Sequence, residues 1–448
     1  MLLTHVFNAG IVGCGGAGFP THVKLNCQAE YMIINGAECE PLLNTDKYLM
    51  RHFAKEVVSA AEKCGNQVGA KHVVIAIKDY YEAENAALSA AIAELGSRVE
   101  IFLLHNYYPA GDEQMIVYEV TGRVVPPGGI PIAVGAVVSN VATMLAVSEA
   151  VDGQPLIHKY MTIGGDVPEA VLLRVPVGMP LAECLAAAGV RCEPGRQYIL
   201  GGPMMGRYMY GEDLAKEVVT KTTSGILVLP AAAEWGMPGL QQMINRARSA
   251  CIQCHYCTDL CPRHLLGHPL RPHMIMRKMA TAGAGVSEEM LQDPDIQNAA
   301  ICCECGVCER FACPMGLAPR SINSALKKKL GAAGIRYKSD GLSTEPLPFR
   351  EYRIVPAPSM TARLGLARYM SVHPDECIEV SAAEVQILLK QHVGAPAKPC
   401  VSEGDRVSEG QLIAAPPEGA LGANIHSSID GIVDRIEADR IIIRSEVA

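Results

Sequence analysis

Across residues 1–155 apolar runs alternate with helix-like stretches. Tyr31–Asn35, His72–Ile77 and Val99–Leu104 read as buried strands, and Glu82–Leu95, rich in Ala, Glu and Leu, reads as a helix. Strands that alternate with helices predict a parallel α/β sheet. From 156 to 235 the pattern changes. Tyr160–Gly164, Val171–Pro176 and Tyr198–Leu200 read as short strands, with a helix at Leu181–Ala188, which predicts a small α+β unit. Residues 236–335 hold a crowd of cysteines with helical flanks such as Pro319–Leu330. Residues 336–380 carry scattered prolines and little periodicity, and read as a linker. Residues 381–448 are short strands split by Gly-Asp, Glu-Gly and Asp-Gly turns, an all-β pattern.

Composition narrows the function classes. With 49% hydrophobic and 19% charged residues over 448 positions, a packed multidomain protein is expected. A net charge of −8 argues against nonspecific nucleic-acid binding, and 5% aromatics argue against base-stacking platforms. No apolar run reaches the ~20 residues that span a bilayer; the nearest, Ile132–Val151, is broken by Ser139, Asn140 and Glu149. The first residues lack the basic start and apolar core of a signal peptide, so a cytoplasmic location is expected. Nine of the 17 cysteines lie between Cys251 and Cys313, and in a reducing compartment such crowding points to metal.

Those cysteines form a pattern that occurs twice. The first copy is Cys251-x2-Cys254-x2-Cys257-x3-Cys261-Pro262, the bacterial ferredoxin spacing. The second is Cys302-x2-Cys305-x2-Cys308-x4-Cys313-Pro314, one residue longer before its last cysteine. Three cysteines in series wrap one loop round a cubane, and in two-cluster ferredoxins the fourth comes from the other copy. The expected sets are therefore Cys251, Cys254, Cys257 and Cys313 for one 4Fe–4S cluster, and Cys302, Cys305, Cys308 and Cys261 for the other. Zinc is the weaker alternative, since its motifs present separated Cys-x2-Cys pairs. Cys303 and the nearby His255, His264, His268 and His273 read as bystanders. Two adjacent one-electron centres make a wire, which needs a donor and an acceptor.

A second motif, Gly13-Cys14-Gly15-Gly16-Ala17-Gly18, fits G-x-G-x-x-G, and Glu38 lies 20 residues past Gly18, where a ribose-binding acid would fall. Only twelve residues precede the loop, so a strand before it is not assured, and a plain glycine turn stays open beside a nucleotide-phosphate loop. The wider segments Gly13–Lys24, Asn35–Pro41, Gly111-Asp112-Glu113 and Ser139–Thr143 resemble the flavin and NADH-binding subunit of respiratory complex I and the RnfC component of the Rnf ferredoxin:NAD oxidoreductase. That resemblance implies a Rossmann-like domain binding FMN, with NADH as electron donor. The implied contacts are Gly13, Gly15, Gly16, Gly18, Lys24, Asn35, Glu38, Asp112, Glu113, Asn140 and Thr143, with Phe19 against the NADH adenine. Two positions depart from the complex I pattern: Ala37 replaces an acid and Cys27 an aromatic.

The same resemblance makes residues 156–235, with Gly201–Gly206, a soluble-ligand-binding β-grasp domain. Residues 381–448 resemble a barrel-sandwich, lipoyl-like domain, although no lysine stands between Gln411 and Asp430 to carry a swinging arm. The Rnf component carries that domain at its N-terminus. The order here, with the motifs around both cysteine copies, resembles instead the cobalamin reductases of propanediol-utilization microcompartments. This implies electron flow from NADH through FMN and two clusters to cobalamin, with an adenosyltransferase and microcompartment shell proteins as partners. An Rnf-like module feeding another reductase is the alternative. No acid–base catalytic residue is singled out, no nucleic-acid partner or membrane span is expected, and a homo-oligomer stays open.

Overall fold

A computed structural model describes residues 1–230, 238–283, 285–370 and 374–446. The chain divides into two compact units, one of residues 1–103, 137–234 and 369–448, the other of residues 104–136 and 235–368. The boundary expected at 235 lies outside the described residues.

The first unit opens with the helix Leu2–Asn8, the glycine loop and the short helix Thr21–Lys24. A four-stranded sheet follows in the order Glu100–Leu104, His72–Lys78, Tyr31–Asn35, Ala136–Asn140. Tyr31–Asn35 and His72–Lys78 run parallel. Both are nearly continuous apolar runs because helices cover the faces of a parallel sheet. Ala54–Gln67 and Val141–Val151 turn their Val, Ala and Leu side chains inward to supply that cover. Glu82–Leu95 ends at Gly96, whose φ of 60° is the left-handed conformation that closes a helix without a Cβ clash.

The β-grasp part of this unit is a six-stranded sheet in the order Cys377–Glu379, Val171–Pro176, His158–Gly165, Gly225–Val228, Gln197–Leu200, Arg207–Tyr210. Leu181–Ala187 packs on it through Leu181, Cys184 and Leu185. The last segment forms two small sheets, one of four strands and one of three. Their inward residues, among them Val385, Ile387, Ile413 and Ile441, share one apolar core with Met161, Leu173 and Ile226 of the β-grasp sheet. The two parts bury one another's faces, as sheets on that scale must.

The second unit is mostly helical. Leu240–Ala250, Pro272–Ala280 and Pro319–Ala332 surround an apolar core that includes Ile244, Ile275, Met279 and Leu326. Residues 104–136, expected within the 1–155 flavin domain, belong here. Tyr107–Tyr108 pairs antiparallel with Val355–Pro356, and the Tyr108 hydroxyl donates to the Cys305 carbonyl at 2.7 Å. The expected linker at 336–380 is likewise not bare chain. It holds Val355–Pro356, the helix Ala357–Arg363 and the edge strand Cys377–Glu379, which pairs with Val171–Pro176. Periodicity over such short pieces is too brief to detect, and their order comes from long-range pairing. Among the described residues no helix is long and apolar enough to cross a membrane.

Candidate functional site

The glycine loop follows a helix rather than a strand, so it is not the first turn of a classical Rossmann unit. It is pinned at its neck by the Val12–Pro20 bridge and by the Gly13 amide donating to the Phe19 carbonyl at 3.0 Å. The Cys14 amide donates to Thr143 Oγ1 at 3.0 Å. A Cβ at Gly15 would stand 2.7 Å from Asn140 Cγ, whereas a Cβ at Gly16 would have nothing within 4 Å. One side of the loop is thus filled by Asn140 and the other is open for a ligand to approach the backbone, the role that glycine permits. Gly18, at φ 71°, accepts the Val393 amide through its carbonyl. Phe19 is exposed, and Lys24 is half-buried on the following short helix.

Asn140 ties the loop to a partly buried acidic pair, Glu38 and Asp46. Its Oδ1 caps Val141–Val151 at the Ala142 amide, while its Nδ2 donates to Asp46 Oδ2 at 2.7 Å and to the Asn35 carbonyl at 3.4 Å. Asn35 Oδ1 accepts the Ala37 amide. Glu38 sits in the left-handed region at φ 35° and accepts the Lys47 amide at 3.1 Å. Burial, reinforced by the Asp46 charge, pushes the Glu38 carboxyl well above the usual range, and burial also raises Asp46. The structure therefore brings Gly13, Gly15, Gly16, Asn35, Glu38, Asn140 and Thr143 into one neighbourhood.

Three partners of that neighbourhood carry no sequence signal. They are Asp46, Tyr81, whose hydroxyl donates to the Ala37 carbonyl at 3.0 Å, and Glu40. The Glu40 carboxylate accepts the Met204 and Met205 amides at 2.8 and 2.9 Å, fastening the Gly201–Gly206 turn. Asp112 and Glu113 belong to the second unit. There Asp112 caps Glu113–Thr121 at the Gln114 and Met115 amides and forms a two-pronged ion pair with Arg263, at 2.5 and 2.9 Å.

In the second unit Cys251, Cys254, Cys257 and Cys313 line one cavity. Cys261 lies within electrostatic reach of Cys303 and Cys302, and both Cys305 and Cys308 lie within reach of Cys261, so the second triplet gathers the last cysteine of the first copy. The two loops share a backbone. Gln253 and His255 in the first, and Glu304 and Gly306 in the second, all have positive φ, between 54° and 83°. Alternating left- and right-handed residues turn successive N–H groups inward, the concavity that iron–sulfur sites use. The Glu304 and Leu317 amides lie 3.4 Å from the Cys302 and Cys313 sulfurs, and Gln253 Nε2 lies 3.2 Å from Cys251 Sγ. The extra residue before Cys313 is absorbed by a π-helical turn at Val307–Ala312, where the first copy has the α-turn Tyr256–Asp259.

The thiols ring a void rather than a point. Among the described residues no three His, Cys, Asp or Glu side chains stand close enough to hold a single ion. Burial pushes the Cys257 thiol up to about 12 and the Cys302 thiol to about 11, so loading the site must displace protons. Cys261, Cys302, Cys305 and Cys308 are buried, whereas Cys251, Cys254, Cys257 and Cys313 are partly exposed. Cys303 lies beside Arg263 and Cys305. His255 stacks on His273 at 4.2 Å, and His268 Nε2 meets the Val125 carbonyl at 2.9 Å.

Comparison with known proteins matches three stretches of the chain. Residues 6–149 match the Nuo51 FMN-binding domain, residues 250–318 the 4Fe–4S dicluster domain, and residues 375–448 the RnfC barrel sandwich hybrid domain. The chain is 40% identical over 439 residues to cobalamin reductase PduS of Citrobacter freundii, covering 97% of this chain and 94% of that one. The chain belongs to the cobalamin reductase PduS family. The Salmonella typhimurium relative matches to the same extent, 40% over 439 residues, 97% of this chain and 94% of that one. A component of the Na(+)-translocating ferredoxin:NAD(+) oxidoreductase complex of Acetobacterium woodii is 38% identical over 272 residues, 58% of this chain and 57% of that one. The protein is an oxidoreductase whose FMN-binding and iron–sulfur domains serve electron transfer.

Proposed function

We propose that this chain takes electrons from NADH and delivers them singly to a corrinoid, reducing cob(III)alamin towards cob(II)alamin and cob(I)alamin for coenzyme B12 recycling in propanediol utilization. The carrying observation is the ring of Cys251, Cys254, Cys257 and Cys313 round one void, with Cys261 gathered to the other triplet. That interleaving suits two 4Fe–4S clusters held by eight thiolates. When bound, FMN at the glycine loop supplies the change from two-electron to one-electron transfer, and the clusters supply one-electron relays.

The protein's own part is distance, charge and exclusion of water. Gly16 leaves room against the loop backbone, and Asn140 holds the opposite side. Phe19, Lys24 and Gly18 are proposed with them as flavin or NADH contacts. The amides near Cys302 and Cys313 stabilise the thiolates and so shape the potentials. Each NADH oxidised to NAD+ and a proton gives two electrons, enough for two cob(III)alamin to become cob(II)alamin. On this reading, the resemblance to propanediol-utilization cobalamin reductases implies a bacterial microcompartment as the setting, with an adenosyltransferase and shell proteins as neighbours.

Anaerobic NADH titration of the reconstituted protein, with and without cob(III)alamin, tests the reading. We expect flavin bleaching followed by cobalt reduction, and about eight irons per chain. Bleaching without cobalt reduction would favour a module that feeds another reductase, the role suggested by the Acetobacterium relative.

A further inference from the structure

The second unit contains a cavity of about 340 Å³ that opens beside Cys313. Three arginines from separate elements line it: Arg246 of Leu240–Ala250, Arg310 of the π-helical turn and Arg363 at the end of Ala357–Arg363. One acid, Glu309, shares the lining. Its carboxylate accepts the Ser321 amide at 2.9 Å and the Ser321 hydroxyl at 3.2 Å at the start of Pro319–Ala332, and its Oε1 lies 4.0 Å from Arg310 Nε. A helix N-terminus offsets that negative charge. Three guanidinium groups against one carboxylate leave two net positive charges in the cavity, on a chain whose overall charge is −8.

Such a concentration of planar, permanently charged donors in a concave site is the chemistry that holds phosphate. The volume suits one arm of a ligand rather than a whole corrinoid. Cobalamin carries a phosphodiester on its nucleotide arm, and this is its anionic group. Cys313 belongs to the more exposed cysteine set, where a partner outside the protein can come within electron-transfer range.

We propose that the corrinoid docks here, with Arg246, Arg310 and Arg363 holding its phosphodiester and the corrin lying outside the cavity on the Cys313 side. This rests on the corrinoid reading above and adds where the acceptor binds. It also gives a purpose to the 336–380 segment, since Arg363 reaches the site only because Ala357–Arg363 packs onto this unit.

The test compares two corrinoids on the full, cluster-loaded chain: cobalamin, and cobinamide, which lacks the nucleotide arm and its phosphodiester. We expect Arg246→Glu and Arg363→Glu each to raise the cobalamin Kd at least about tenfold, roughly 1.4 kcal/mol. Cobinamide affinity should hardly change, and Arg363→Lys should keep most cobalamin binding. Iron content checks that the variants fold. On the parent chain, pyrophosphate should compete with cobalamin and not with cobinamide, which needs no variant. Equal weakening of both corrinoids, or no change in either, would overturn the site while leaving the proposed reduction intact. A parent chain that neither binds nor reduces cobalamin would overturn the proposed function as well.

Discussion

The Arg263–Asp112 pair offers the sharpest energetic prediction. Their side chains are 8% and 15% exposed, so the pair is buried and solvent does little to screen it. Removing one partner of such a pair costs about 3–5 kcal/mol, because it leaves a charge in the interior without compensation. Asp112 also caps Glu113–Thr121, and losing a cap costs about 1 kcal/mol. Asp112→Asn separates the two contributions, since an amide oxygen can still cap while the charge is gone. We therefore expect Asp112→Asn to destabilise the helix by about 3 kcal/mol, which accelerates amide exchange roughly 150-fold wherever exchange needs that helix to open. Hydrogen exchange followed by mass spectrometry over residues 113–121 reads this directly. Asp112→Ala should be worse by the cap, and Asp112→Ala with Arg263→Met should recover part of the loss. If Asp112→Asn exchanged as slowly as the parent, the claim that this pair orders the helix against the cysteine unit would be wrong.

Other expectations follow from single contacts. Cys313→Ser and Cys261→Ser should each reduce iron from about eight to about four per chain, and the two variants should lose spectroscopically distinct clusters. Because Cys251, Cys254, Cys257 and Cys313 are the more exposed set, mild oxidation with a chelator should strip the cluster missing from Cys313→Ser first, as EPR would show. Gly15→Ala places a methyl 2.7 Å from Asn140 Cγ, and Asp46 holds that side chain in place; FMN affinity should fall by about tenfold or more, measured by flavin fluorescence. Lys221 is buried, donates to the Gly10 and Asn424 carbonyls, and is lowered to about 7 by burial. Its folded value lies below the unfolded one, near 10.4. The stability it contributes is complete above that value, shrinks as pH falls, and is gone below about 7. Lys221→Met should flatten the change in Tm between about pH 7 and 10.

Legibility differed by element. The central strands could be read because each is a run of apolar residues whose burial needs no distant partner to be recognised. Tyr31–Asn35 and Val171–Pro176 occupy the expected residues, and His72–Lys78 runs one residue further. Arg207–Tyr210 and Gly225–Val228 were not expected. The first alternates weakly and the second is four residues long, so pairing rather than pattern makes them strands. Residues 104–136 lie within the stretch matched to the FMN-binding domain, and they pair and hydrogen-bond within the cysteine unit.

By itself the sequence determined the chemistry that depends on short spacing: two cysteine loops, a glycine turn, and the strands beside them. Such features are set by residues a few positions apart, where backbone geometry is the same in any fold. Tertiary structure decided what lies across long gaps. It set Asp46 against Asn140, Glu40 against the Met204 and Met205 amides, Arg263 against Asp112, and Arg363 beside Cys313. Buried charges and polar groups must find partners wherever packing brings them, and no local pattern records which partner that will be.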